Sequence, residues 1–96
     1  MARHIWTKND DIFVFYVTKF GDQNLDISEQ EFGDRVIDNY NSLKMRKNNF
    51  LAIMGKGGLE HFAKLSSEVY KEFQDLSEPQ LRKVANGVLH KLDLRW

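Results

Sequence analysis

Cysteine is absent from this 96-residue chain, and proline occurs only once. The missing thiols exclude a disulfide framework and any site that depends on a cysteine ligand or nucleophile. An excess of charge is missing too, because 14 basic and 14 acidic residues give a net charge of zero. A neutral chain has no global attraction to nucleic acid, so an electrostatic function must be local.

Long apolar segments are also missing. The longest uninterrupted run, residues 12–17, has six residues, whereas a membrane-spanning helix needs about 20. The first residues of the chain lack the apolar stretch of a secretory signal. We therefore expect no membrane association and a cytoplasmic location.

The chain does contain enough apolar material for a packed interior, since 42% of its residues are hydrophobic and 12% are aromatic. It has no Pro-rich or Ser-rich linker and no internal repeat. Two halves of such a short chain would be too small to bury separate cores. We expect a single domain that spans residues 1–96.

The first predicted helix covers residues 8–20. Thr7 and Asp10 have the spacing of a helix cap, and Gly21 is suited to end the helix. Residues 12–17 read IFVFYV, which is also typical of a buried strand. The capping pattern and the recurrence of apolar residues at helical spacing favour the helix.

Two further helices are predicted before the glycine cluster at residues 55–58. Ser28 and Glu31 form a capping box, and the apolar face of this second helix continues to Tyr40. A third helix is predicted over residues 42–54, with Gly55 as its terminating residue.

The last two predicted helices follow the glycine cluster. Ser66 or Ser67 is suited to cap a fourth helix, while the type of residues 59–65 stays open. Ser77 and Gln80 form a capping box for a fifth helix with 3.6-residue periodicity through Leu92. The sequence thus predicts an all-α, compact bundle of about five helices whose N-terminal half resembles a helix-turn-helix.

Charge is unevenly distributed along these elements. Residues 21–40 contain six acids and one base, Arg35, which is a net charge of −5. Residues 41–58 contain four bases and no acid, a net charge of +4, together with three asparagines. Lysine and arginine bind phosphate or guanine, and asparagine binds adenine. The third helix is therefore the predicted nucleic-acid-binding element.

The helical positions of these residues suggest two roles. Lys44, Asn48 and Asn49 fall on the polar side of the third helix and are predicted to contact bases. Arg46 and Lys47 flank its apolar stripe, so they are predicted to extend outward to phosphates. Lys56, between glycines, is a further candidate phosphate contact. The alternative for each residue is a solvated basic surface without a ligand.

The sequence offers no set of residues with the spacing of a catalytic or metal site. His4, His61 and His90 are isolated and have no cysteine or HExxH partner. The adjacent carboxylates Asp10 and Asp11 fit the first turn of a helix, where the helix dipole stabilises negative charge. We expect no catalytic activity, no metal and no cofactor.

Residues 42–73 resemble a segment near the N-terminus of some bacterial and phage HNH-type and modification-dependent restriction nucleases. The matching elements are Trp6 with Thr7, Asn49 with Phe50, Gly58 with Leu59, and residues 69–73. The resemblance implies a module that binds DNA and delivers a separate nuclease domain to it. This chain has no HNH cluster, so we expect it to keep only the binding part.

Two classes of function remain at this point. The first is a small non-catalytic module of bacterial or phage origin that binds double-stranded DNA. The alternative is a protein-interaction module, such as a phage-encoded inhibitor or adaptor, because acidic residues in the second helix would repel phosphate. Homodimer formation stays open in either case.

Overall fold

The structure is a computed structural model that describes residues 5–55 and 63–91. Within these ranges the chain forms five helices and no strand. The helices are α1 (Lys8–Phe20), α2 (Glu29–Phe32, continued by a π-helical turn over Gly33–Ile37), α3 (Tyr40–Ile53), α4 (Lys64–Phe73) and α5 (Glu78–Lys91). The all-α prediction is confirmed, and the strand alternative for residues 12–17 is wrong. None of the helices in the described ranges has the length and hydropathy of a membrane span.

Helix α1 begins and ends at the predicted residues. The Thr7 hydroxyl accepts a hydrogen bond from the Asp10 amide at 3.2 Å, and the Asp10 carboxylate accepts one from the Thr7 amide at 3.1 Å. At the other end, Gly21 adopts a φ of 79°, and its amide donates to the Val17 carbonyl. Glycine adopts this backbone conformation without steric strain.

The centre of the fold is α1, because α3, α4 and α5 all pack against it. The sequence predicts one apolar stripe on this helix, but every residue from 12 to 17 is buried. Its aromatic rings contact different neighbours: Phe13 stacks on Phe32 of α2, and Phe15 contacts Phe50 of α3 and Tyr70 of α4. A helix that is apolar on all sides is typical of such a central position.

Helix α2 is shorter and less regular than predicted. Ser28 caps it as expected, with its hydroxyl accepting from the Glu31 amide at 3.1 Å. After Phe32 the chain winds into the π-helical turn and stops at Asp38, whose φ is 61°. Tyr40, predicted to end this helix, instead begins α3. Gly33 lies so close to Tyr40 that a Cβ there would be 2.9 Å from the ring.

The start of α4 differs from the prediction, whereas the start of α5 confirms it. Helix α4 begins at Lys64 after Ala63, so neither Ser66 nor Ser67 caps it. Ser66 lies inside the helix and is fully buried. Ser77 and Gln80 form the predicted capping box of α5, with bonds of 2.9 and 3.4 Å.

Candidate nucleic-acid interface

The inward side of α3 is fixed by the hydrophobic core. Leu43 and Phe50, two turns apart, are both fully buried. Two residues, Asp38 and Asn39, separate α3 from the π-helical turn, and the Asn39 side chain accepts a hydrogen bond from the Asn41 amide at 3.0 Å. Because Leu43 and Phe50 both hold the same side of α3 in the core, the helix has a defined outward side.

Arg46 does not extend to solvent, so the predicted outward orientation of its side chain is wrong. Its Nε and Nη2 atoms each donate to a carboxylate oxygen of Asp11 at 2.7 Å. The Asp11 side chain is fully buried, and that of Arg46 is 12% exposed. The periodicity placed Arg46 at the edge of the apolar stripe but gave no indication of a buried partner.

Two further residues complete what we call the Asp11 cluster, which consists of Asp11, Arg46, Ser66 and Trp6. The Ser66 hydroxyl donates to Asp11 Oδ2 at 3.3 Å, and the Arg46 guanidinium lies 4.7 Å from the centre of the Trp6 ring. Among the described residues, no buried side-chain nitrogen or oxygen is without a hydrogen-bond partner. The cluster thus joins α1, α3 and α4 through fully satisfied polar groups, which is the condition for burying charge.

Lys47 also has an internal partner. Its Nζ atom lies 3.0 and 2.9 Å from the two carboxylate oxygens of Glu29, which ties α3 to α2. Both side chains are partly buried. Lys47 therefore neutralises an acid of this chain, which the sequence prediction of a phosphate contact did not anticipate. Burial, and then the Glu29 carboxylate, also raise the pKa of the adjacent Tyr40 hydroxyl.

Asn49 is used to connect α3 with α4. Its Nδ2 atom donates to the Met45 carbonyl at 3.1 Å, and its Oδ1 atom accepts from the Ala63 amide at 2.8 Å. Ala63 is the residue that precedes α4. Asparagine was predicted here as a base-reading residue, but both ends of its amide are occupied by backbone groups.

Lys44 and Asn48 are exposed, as predicted. With Asn41 and Met45 they form what we call the α3 stripe, at positions i, i+3, i+4 and i+7. Met45 is 67% exposed, which is unusual for a large apolar side chain.

The Lys44 ammonium lies 4.8 Å from the centre of the Tyr40 ring. A shallow groove beside the stripe is lined by Tyr40, Lys44, Lys47, Asn48 and Leu51. Lys56 lies outside the described residues.

The acidic residues of the α2 region are divided between internal and exposed positions. Asp22 accepts from the Glu29 amide at 2.7 Å, and Glu29 pairs with Lys47. By contrast, Glu31, Asp34 and Asp38 are exposed and are spaced three and four residues apart. We call these three residues the acidic surface.

The described part of the chain contains no group of three or more His, Asp or Glu side chains that could hold a metal ion. His90, on α5, is exposed, and its Nε2 atom lies 3.7 Å from Oδ2 of Asp26 in the segment between α1 and α2. His4 and His61 lie outside the described residues. Asp11, which the sequence explained by the dipole of α1, is instead the most buried acid of the chain described here.

Comparison with known proteins identifies no relative of this chain. No family model, no curated protein and no solved structure matches this chain. The α3 stripe, the Asp11 cluster and the acidic surface are therefore the features from which a function is inferred.

Proposed function

We propose that this chain is a small DNA-binding module in which the α3 stripe enters the major groove. The observation that carries the proposal is the stripe itself: Asn41, Lys44, Met45 and Asn48 are presented along two turns of a helix whose opposite side is held in the core. A recognition helix needs both a rigid attachment and an exposed side that reaches base edges.

The chemistry of the stripe matches the edges of base pairs. Asparagine can form a bidentate pair with adenine, and lysine can donate to guanine or to phosphate. Met45 offers an apolar contact to the methyl group of thymine. The stripe contains no carboxylate, which would be repelled by the phosphates on either side of the groove.

The internal ion pairs separate the basic residues of α3 into two groups, those that orient the helix and one that contacts DNA. Arg46 and Lys47 hold the orientation of α3 through Asp11 and Glu29. Lys44 is then the cation of α3 that meets phosphate. The logarithm of the binding constant falls linearly with the logarithm of the salt concentration, with a slope of about −0.9 for each phosphate that is neutralised. With one such cation we expect this slope to be shallow, and we expect the affinity to depend on base contacts.

Binding of a fluorescently labelled duplex, measured over a series of salt concentrations, tests this proposal. We expect Lys44→Ala to weaken binding to all duplexes and to reduce the salt slope by about 1. Lys83→Ala is the matched control, because Lys83 is an exposed lysine on α5. Equal affinities for the parent and both variants, or no binding by the parent, would contradict the proposal.

A second candidate function is recognition of a cationic protein through the acidic surface. It is favoured by one observation: Glu31, Asp34 and Asp38 are exposed, while Arg46 and Lys47 are paired inside the chain. A lysine-rich peptide would then bind the parent, and Asp34→Lys would abolish this binding. The same substitution should leave or strengthen duplex binding if DNA is the ligand.

A further inference from the structure

An asparagine followed by a glycine lies inside α5, more than one turn from either end of the helix. Asn86 is the only one of the seven asparagines of the chain whose next residue is glycine. The backbone nitrogen of the following residue can attack the side-chain carbonyl of an asparagine, and glycine, which has no Cβ, obstructs this approach least. Asn86 with Gly87 is therefore a candidate site of covalent modification.

The reaction at such a pair is an intramolecular deamidation. The Gly87 backbone nitrogen loses its proton and bonds to Cγ of Asn86, while the bond between Cγ and Nδ2 breaks and this nitrogen leaves as ammonia. The resulting succinimide ring takes up one water molecule at either of its two carbonyl carbons. One opening gives aspartate, and the other gives isoaspartate, in which the main chain runs through the former side chain. The net reaction consumes water and releases ammonia.

The folded helix blocks this attack. In an α-helix the amide of residue 87 donates to the carbonyl of residue 83, and residue 86 is held in a backbone conformation that does not allow the ring to close. The Asn86 side chain is half-buried, and its Oδ1 atom accepts a hydrogen bond from the Asp26 amide at 3.4 Å. The nucleophile and the carbonyl group are both engaged, so the reaction requires α5 to open.

The isoaspartate product is incompatible with the packing of α5. Ala85 and Val88, on either side of the pair, are buried in the core beside α1. Isoaspartate adds one atom to the main chain between them, which interrupts the helical hydrogen bonds and changes the direction of the residues that follow. The aspartate product keeps the normal backbone, and its carboxylate can still accept from the Asp26 amide.

We propose that Asn86 is a deamidation site that becomes reactive when α5 opens, and that the isoaspartate product prevents α5 from packing on α1 again. Local opening of a helix is reversible, whereas this modification is not. Folded molecules are therefore lost at a rate set by the opening of α5. Gly87 favours this opening, because glycine destabilises a helix interior relative to alanine.

The first test measures deamidation of the full chain at one mildly alkaline pH, with and without denaturing urea. Peptide mapping by mass spectrometry localises the conversion of amide to acid at residue 86. We expect the rate to be at least about a hundredfold higher in the unfolded chain. Asn86→Gln is the matched control, since it keeps the amide group but forms the ring far more slowly. Equal rates with and without urea would contradict the protection by α5. A rate in the unfolded parent no higher than that of Asn86→Gln would overturn the site.

The second test separates the effect of the backbone from that of the charge. The isoaspartate form is purified by chromatography after treatment in urea, and the variant Asn86→Asp represents the aspartate form. We expect Asn86→Asp to keep a urea midpoint close to that of the parent, and the isoaspartate form to lose the helical signal of α5. A parental midpoint for the isoaspartate form, or an equal loss in Asn86→Asp, would overturn this part of the proposal. Neither test depends on DNA binding.

Discussion

Arg46 and Asp11, 35 residues apart in the chain, form a two-pronged ion pair in the interior, with both N–O distances at 2.7 Å. The pair fixes the third helix against the first. A buried ion pair does not by itself stabilise a fold, because desolvation offsets the attraction. We expect its effect to be specificity: rotation of α3 about its axis would break both hydrogen bonds, so the pair and the buried Leu43 and Phe50 together determine which residues of α3 face solvent.

Loss of one partner of this pair is predicted to be strongly destabilising. Arg46→Ala leaves the Asp11 carboxylate buried without its cation, and we expect a loss of about 3–5 kcal/mol in the free energy of unfolding. Lys44→Ala, on the exposed side of the same helix, should change stability by no more than about 0.5 kcal/mol. Urea denaturation measures both values.

The double variant Asp11→Leu with Arg46→Met tests why the single variant is destabilised. It removes both charges while keeping apolar volume, so we expect much of the lost stability to return. If the double variant were as unstable as the sum of the two single variants, the uncompensated charge would not be the cause. A fully stable Arg46→Ala would contradict the pairing itself.

Gly33 and Gly87 are predicted to respond in opposite directions to alanine. At Gly33 a Cβ would lie 2.9 Å from the Tyr40 ring and 3.1 Å from its backbone Cα atom, so α3 would have to shift. We expect Gly33→Ala to lose about 1–3 kcal/mol. Gly87→Ala, which has free space, should gain about 0.4–1 kcal/mol. Thermal or urea denaturation measures the change in stability of the two variants. If Gly33→Ala were stabilised as Gly87→Ala is expected to be, the packing described at Gly33 would be refuted.

Tyr16 makes the stability of the fold sensitive to alkaline pH. Burial, followed by the hydrogen bond to Glu78 and its charge, raises the pKa of the Tyr16 hydroxyl to about 12. In the unfolded chain the pKa of tyrosine is about 10. The folded state thus keeps this proton at higher pH, and its contribution to stability is present below pH 10 and is lost between about pH 10 and 12.

Urea midpoints measured across this pH range for the parent and for Tyr16→Phe check the assignment. The variant should be less stable at neutral pH, because Glu78 loses the hydrogen bond that the Tyr16 hydroxyl donates, and its stability should fall less steeply above pH 10. Parallel curves for the two proteins would show that another group, such as Tyr40, accounts for the alkaline loss.

The parts of the fold that depend on local sequence were predictable. The caps at Thr7 and Ser77 and the terminator Gly21 depend on residues within four positions, and the structure confirms them. The π-helical turn was not predicted; it lies where Phe32 stacks on Phe13 and where Gly33 packs against Tyr40, contacts that the spacing of apolar residues does not encode.

Only part of the candidate site could be predicted from the sequence, and the reason is similar. Helical periodicity gives the direction of a side chain, and it placed Lys44 and Asn48 on the exposed side. It does not identify distant partners. Arg46, Lys47 and Asn49 contact residues that are 35, 18 and 14 positions away, and these contacts use the groups that were expected to bind DNA.

The central claim is that the α3 stripe reads bases, and selection of binding sites from a random duplex library tests it most directly. Parent and Asn48→Ala are compared at one salt concentration, with Gln23→Ala as a control that removes another exposed amide. We predict an enriched motif for the parent and the control. Asn48→Ala should lose the preference for adenine at one position, a discrimination of about 1–3 kcal/mol, with unchanged affinity for random duplex. Identical motifs from all three proteins, or no enriched motif from the parent, would contradict the claim.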